Sequence, residues 1–133
     1  MMPEPSFLTY DEVVQIHIVQ VEMYGGSHGV RDQGRLDSAL AMPQAGFGDS
    51  YLHENIFEMA AAYLHHIAMN HPFIDGNKRT ALNTADVFLR LNSYKLALSP
   101  GDAYDLVIGV CEGTVTKKGL AAAFRGNAAP LTE

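Results

Sequence analysis

With 133 residues, 47% of them apolar, the chain is the size of one domain and can build an ordered core without disulfides or a structural metal. A net charge of −6 argues against direct nucleic-acid binding, which needs many cations gathered on one face. Cys111 is the lone cysteine, which excludes a disulfide framework and a four-cysteine metal site and fits a cytoplasmic protein.

Residues 1–6 show no basic stretch leading into an apolar run, so no export signal is expected. No apolar run nears the roughly 20 residues that span a bilayer, so no membrane association is expected either. Without repeats or linkers, residues 1–133 read as a single domain.

Thr9-Tyr10-Asp11-Glu12 has the form of a capping box, and it opens a helix to about Tyr24. The β-branched residues between Val13 and Val21 also suit a strand. The length, the cap and the absence of Gly or Pro favour helix. Gly25-Gly26-Ser27-His28-Gly29 predicts a loop. A short helix is expected over Asp37–Met42, ended by Pro43, and Gly46 and Gly48 mark another loop. Glu54 to about Asn70 gives the clearest helical spacing, through Ile56, Met59, Ala60, Tyr63, Leu64 and Ile67. After a loop at His71–Gly76, a second strong helix covers Asn77 to Leu91. Lys95–Leu98 is the one stretch that could be a strand. Ser99-Pro100 with Asp102 predicts a helix start, running to about Cys111. Thr116–Phe124 is a shorter last helix, and a flexible tail is expected from about residue 127 to 133. The predicted class is all-α, a compact bundle of about six helices.

The chemistry concentrates in His71-Pro72-Phe73-Ile74-Asp75-Gly76-Asn77-Lys78-Arg79. A helix beginning at Asn77 offers unpaired backbone N–H groups and a positive dipole end, a ready site for phosphate. Gly76 lets an anion approach that backbone, and Lys78 and Arg79 add cationic donors. Two cations in a first turn oppose the helix dipole, an arrangement that makes sense beside a multiply charged anion. Asp75 supplies a carboxylate of the kind Mg²⁺ takes as its protein ligand. An imidazole changes charge near neutral pH, so His71 is the candidate general base. Each residue taken singly is unremarked surface chemistry; nine together specify a nucleotide-using transferase loop.

The segment resembles the signature of the Fic/Doc superfamily, His-Pro-Phe-x-Asp/Glu-Gly-Asn-Gly/Lys-Arg, at every position. Thr80-Ala81-Leu82-Asn83, Phe88-Leu89, Tyr24-Gly25-Gly26 and Gly29–Leu36 resemble the Doc (death-on-curing) branch, so the similarity extends over nearly the whole chain. This implies a Fic/Doc-type bundle with the active-site loop between two central helices. Fic-type members transfer AMP from ATP to a target hydroxyl. Doc-type members are kinases that phosphorylate a threonine of elongation factor Tu and arrest translation, as toxins of toxin–antitoxin pairs. AMP-transferring members usually carry glycine where this chain has Lys78, and a second arginine where it has Leu82. Both departures imply that bound ATP presents its γ-phosphate to the target. Pro72 and Gly76 stand closer to Fic than to the Doc archetype, which keeps AMP transfer as the alternative, beside a Fic-like scaffold without catalysis.

The roles implied are His71 as base, Asp75 as Mg²⁺ ligand, and the backbone at Gly76 and Asn77 as anion hole. Lys78 and Arg79 would bind phosphate oxygens, and Asn83 would touch the nucleotide. Phe73 would anchor the loop from within. The partners implied are a cognate antitoxin, whose C-terminal segment binds the toxin, and elongation factor Tu.

Other residues receive structural readings. His65 and His66 point about 100° apart on a helix and lack a metal-binding pattern. His17, His28 and His53 are isolated, and Cys111, in an apolar helix, is expected in the core. Ser50–Asn55 matches a Ser/Thr-x-x-x-Glu-Gly/Asn inhibitory motif of some Fic proteins, but reads more simply as the start of the next helix.

Overall fold

Helix α1 (Tyr10–Tyr24) begins on the expected capping box. Glu12 N–H donates to Thr9 Oγ1 at 3.2 Å, and Thr9 N–H donates to Glu12 Oε1 at 2.8 Å. The computed structural model describes residues 4–131. After α1 come α2 (Gln33–Ala41), a hairpin of β1 (Gly46–Phe47) and β2 (Ser50–Tyr51), α3 (Ile56–Asn70) and α4 (Asn77–Leu91). Strand β3 (Tyr94–Leu96), α5 (Pro100–Glu112), α6 (Lys117–Asn127) and β4 (Ala128–Pro130) complete the chain. The all-α class holds: six helices carry the described fold, and the strands are two or three residues long.

Helix α3 is the central element. Met59, Ala60, Ala61, Ala62, Tyr63 and Leu64 are consecutive and all buried, so it is enclosed rather than amphipathic. It packs against α2, α4, α5 and α6. Its small alanines let those neighbours approach closely, and Phe88 of α4 and Phe124 of α6 fill the space between. The Tyr63 hydroxyl accepts from Leu8 N–H at 2.9 Å, and burial pushes its pKa up to about 12, so it stays neutral in the core.

Several boundaries differ from expectation. Helix α2 starts four residues before Asp37, because Asp32 caps it by accepting from Arg35 N–H at 3.0 Å. Helix α3 starts at Ile56 behind the cap Asn55, not at Glu54. The loop expected around Gly46 and Gly48 is an antiparallel hairpin, with Gly48 at φ 63° in its turn. The tail expected from residue 127 is corrected over its described part. Asn127 ends α6, and Ala128–Pro130 pair antiparallel with Leu96–Tyr94. Leu131 N–H then donates to Ser93 O. Backbone groups that would otherwise need water are satisfied by that ladder; residues 132–133 lie outside the described residues. Cys111, expected in the core, is only half-buried.

Candidate active site

Helix α3 ends where His71 adopts the left-handed conformation (φ 48°, ψ 55°). That conformation disfavours a non-glycine residue by about 1–3 kcal/mol unless its surroundings hold it. Arg31 does so, donating from Nε and Nη2 to the His71 carbonyl at 3.0 and 2.6 Å. The backbone N–H groups of Arg31 and Asp32 both donate to Pro72 O, and Ile74 N–H donates to Gly29 O. Arg35 donates to Asn70 O, and Asn70 Nδ2 returns a bond to Arg35 O. The segment after α1 is therefore the cradle of the loop.

Within the loop, Phe73 is 1% exposed and bridges to Val30, as its anchoring role requires. The Asn77 side chain closes the turn: its Oδ1 accepts from Phe73 N–H at 2.9 Å and its Nδ2 donates to Phe73 O at 3.0 Å. Asp75 accepts from Gly76 N–H at Oδ1 (2.9 Å) and from Ser27 N–H at Oδ2 (3.2 Å). Gly26 (φ 113°) packs so closely there that an added Cβ would lie 2.7 Å from Asp75 Oδ2.

Gly76 (φ 74°) is the N-cap of α4 and supplies no side-chain hydrogen bond. The other five helices are each capped by a side chain, from Thr9, Asp32, Asn55, Ser99 and Thr116. The first turn of α4 thus faces outward with open N–H groups and two cations. Arg79 is steadied by aromatic faces, its guanidinium carbon 3.9 Å from the Tyr24 ring centre and 5.4 Å from that of Tyr104.

His71, Asp75, Gly76, Asn77, Lys78 and Arg79 all line one open cavity of about 270 Å³. Asn83 does not line it; its Nδ2 donates to Arg79 O at 2.9 Å, one turn back along α4. A larger cavity of about 700 Å³ lies between the start of α3 and α6, bordered by His53, Glu54, Lys117, Lys118 and Arg125. None of the loop residues lines it; His71, Asp75, Gly76, Asn77, Lys78 and Arg79 border only the smaller space. Glu54, the acidic residue of the Ser50–Asn55 match, lines that distant cavity and not the one bordered by Arg79.

Reading the sequence missed Arg31, His17, Gln20, Tyr24 and Tyr104. One signal was present: His17 and Gln20 are polar residues on the same face of α1 as the buried Val13 and Val21. His17 stacks on Phe73 with ring centres 3.9 Å apart and planes 6° apart, and its Nε2 lies 2.7 Å from Asp75 O. Burial is the largest cause of its lowered pKa, opposed by that hydrogen bond. His66 accepts from Lys117 Nζ at Nε2 (3.0 Å), away from the loop. Among the described residues no group of three or more His, Cys, Asp or Glu side chains is placed to hold a metal ion.

Comparison with known proteins matches the Fic/DOC family model to residues 7–89, from just before α1 through most of α4. The chain is 35% identical over 115 residues to "Protein kinase doc" of Escherichia phage P1, covering 86% of this chain and 90% of that protein. It is 45% identical over 74 residues to "Toxin Doc" of Mycolicibacterium smegmatis, covering 56% and 57% respectively.

Proposed function

This chain belongs to the Fic/Doc family, and we propose that it is a Doc-type toxin that transfers the γ-phosphate of ATP to a threonine hydroxyl of elongation factor Tu, arresting translation. The observation that carries this reading is the meeting of His71, Asp75, Lys78, Arg79 and the uncapped start of α4 around one cavity. The name of the phage relative, a protein kinase matched over nine-tenths of its length, supports phosphate as the transferred group.

In this reading His71 takes the proton of the threonine hydroxyl. The oxygen bonds to the γ-phosphorus as the bond from that phosphorus to the β–γ bridging oxygen breaks, and ADP leaves. The N–H groups after Gly76, with Lys78 and Arg79, hold phosphate oxygens as charge redistributes. Asn83 would touch the nucleotide where it extends beyond the cavity. Asp75 fits a Mg²⁺ ion, because each carboxylate oxygen accepts one N–H and keeps a lone pair. One or two carboxylates beside substrate phosphates suffice for that ion. When bound, Mg²⁺ would neutralise phosphate charge. A cognate antitoxin, binding through its C-terminal segment, would keep the toxin inactive.

ATP labelled at either the γ- or the α-phosphate tests the reading. Transfer of γ label alone, reduced ~10²–10⁴-fold in His71→Ala, is expected. Transfer of α label would favour AMP transfer, the reading that Pro72 and Gly76 support. A cellular effect that survives His71→Ala would point to a non-catalytic scaffold.

A further inference from the structure

His17 is 1% exposed, and no step proposed above uses it. A buried histidine on an apolar helix face is most simply a core filler, and phenylalanine would fill the same space against Phe73 without a polar ring. The contact with Asp75 O argues for more. A carbonyl only accepts, so Nε2 carries the hydrogen and donates.

No described peptide bond is cis, so the 75–76 peptide is trans, and resonance keeps such a group close to planar. Its carbonyl and its N–H therefore point in opposite directions. The ring of His17 holds the carbonyl on one side, and on the other Gly76 N–H donates to Asp75 Oδ1. Glycine at 76, with φ 74°, is also where the loop's backbone turns most freely. Release of the carbonyl would let this peptide rotate and take the hydrogen bond away from the carboxylate. Val21 and the imidazole lie 3.6–3.7 Å from where a Gly76 Cβ would sit, so α1 also seals the back of the turn.

We propose that His17 is a positioning residue: by donating from Nε2 to the Asp75 carbonyl, it fixes the 75–76 peptide and through it the Asp75 carboxylate. This rests on the reading of Asp75 as the Mg²⁺ ligand of the site. Partners that orient a metal ligand typically change metal affinity or activity by 10–100-fold when removed.

The test compares full-length wild type with His17→Phe, which keeps the stacked ring, and His17→Gln, which restores an N–H donor. ¹⁵N NMR of the wild type should show His17 protonated at Nε2 and bare at Nδ1. The Gly76 amide signal should broaden or shift in His17→Phe and return in His17→Gln. The Mg²⁺ concentration giving half-maximal label transfer, summed over α- and γ-labelled ATP, should rise ~10–100-fold in His17→Phe and recover in His17→Gln. A hydrogen on Nδ1 alone overturns the proposal. So does a folded His17→Phe whose Gly76 amide and Mg²⁺ requirement match wild type. If His17→Phe does not fold, the tautomer and the His17→Gln amide spectrum decide. If wild type transfers no label at all, the proposed function fails, while the NMR measurements still settle the role of His17.

Discussion

Arg31 is the residue that holds the candidate base in its unusual conformation, yet it is an exposed side chain with no carboxylate partner among the described residues. Its removal should therefore disturb catalysis more than folding. Arg31→Ala is expected to slow transfer ~10–10²-fold through misplacement of His71. Its stability should stay within about 1 kcal/mol of wild type, as for most surface changes. A thermal melt beside a label-transfer assay checks both. Arg31→Lys should rescue little, since a lysine cannot make the two-pronged contact with one carbonyl.

The motif from His71 to Arg79 was readable because nine residues of defined chemistry stand together in the sequence. What each side chain does was less so. The backbone of Asn77 reads as part of an anion hole, but nothing in the sequence shows that its side-chain amide staples the turn onto Phe73. His17 lies 58 residues from Asp75 along the chain. No local pattern reports a contact made only when α1 folds against α4.

Helices were readable wherever their ends are written in side chains, as at Thr9 with Glu12 and at Ser99-Pro100. The start of α2 was hidden because Gly34 interrupts its first turn. Strands β1 and β2 are two residues each, too short for any alternation to show. Strand β4 is Ala128-Ala129-Pro130, residues with little strand preference, and it exists through pairing with β3. If that pairing supports the fold, truncation after Asn127 should lower stability by about 1–3 kcal/mol, a few net backbone hydrogen bonds. Urea titration measures this directly, and an unchanged midpoint would mean the segment behaves as the tail its composition suggests. The uncapped start of α4 is the counterpart of the capped ends elsewhere: the one helix without a side-chain cap is the one whose N–H groups face the cavity.

Across the whole molecule, a chain of net charge −6 gathers cations in two places, Lys78 and Arg79 at the loop and Lys117, Lys118 and Arg125 beside α3. At the second place, burial and then the Lys117 charge push the His66 pKa down to about 4. His53 and His65 are also lowered, chiefly by burial, with Lys117 adding to both and Glu58 opposing it at His53. Above the unfolded value of 6.5 these rings are neutral in both states, and their contribution to stability is fully present. As pH falls below 6.5 toward 4, the unfolded chain binds protons that the folded chain refuses, so stability falls. The melting temperature should hold above pH 7 and decline between pH 6.5 and 4. His66→Gln, whose amide oxygen can still accept from Lys117 without titrating, should decline less steeply. An equal decline in both proteins would place the acid sensitivity elsewhere.

In the function proposed above, His71 serves the transfer of a phosphate, and not of AMP, to a threonine. Intact-mass measurement of elongation factor Tu after incubation with this chain, ATP and Mg²⁺, followed by mapping of the modified residue, tests it most directly. A gain of one phosphate on a single threonine, strongly reduced with His71→Ala, is the expected result. A gain of one AMP, or a phosphate that appears equally with His71→Ala, would contradict it.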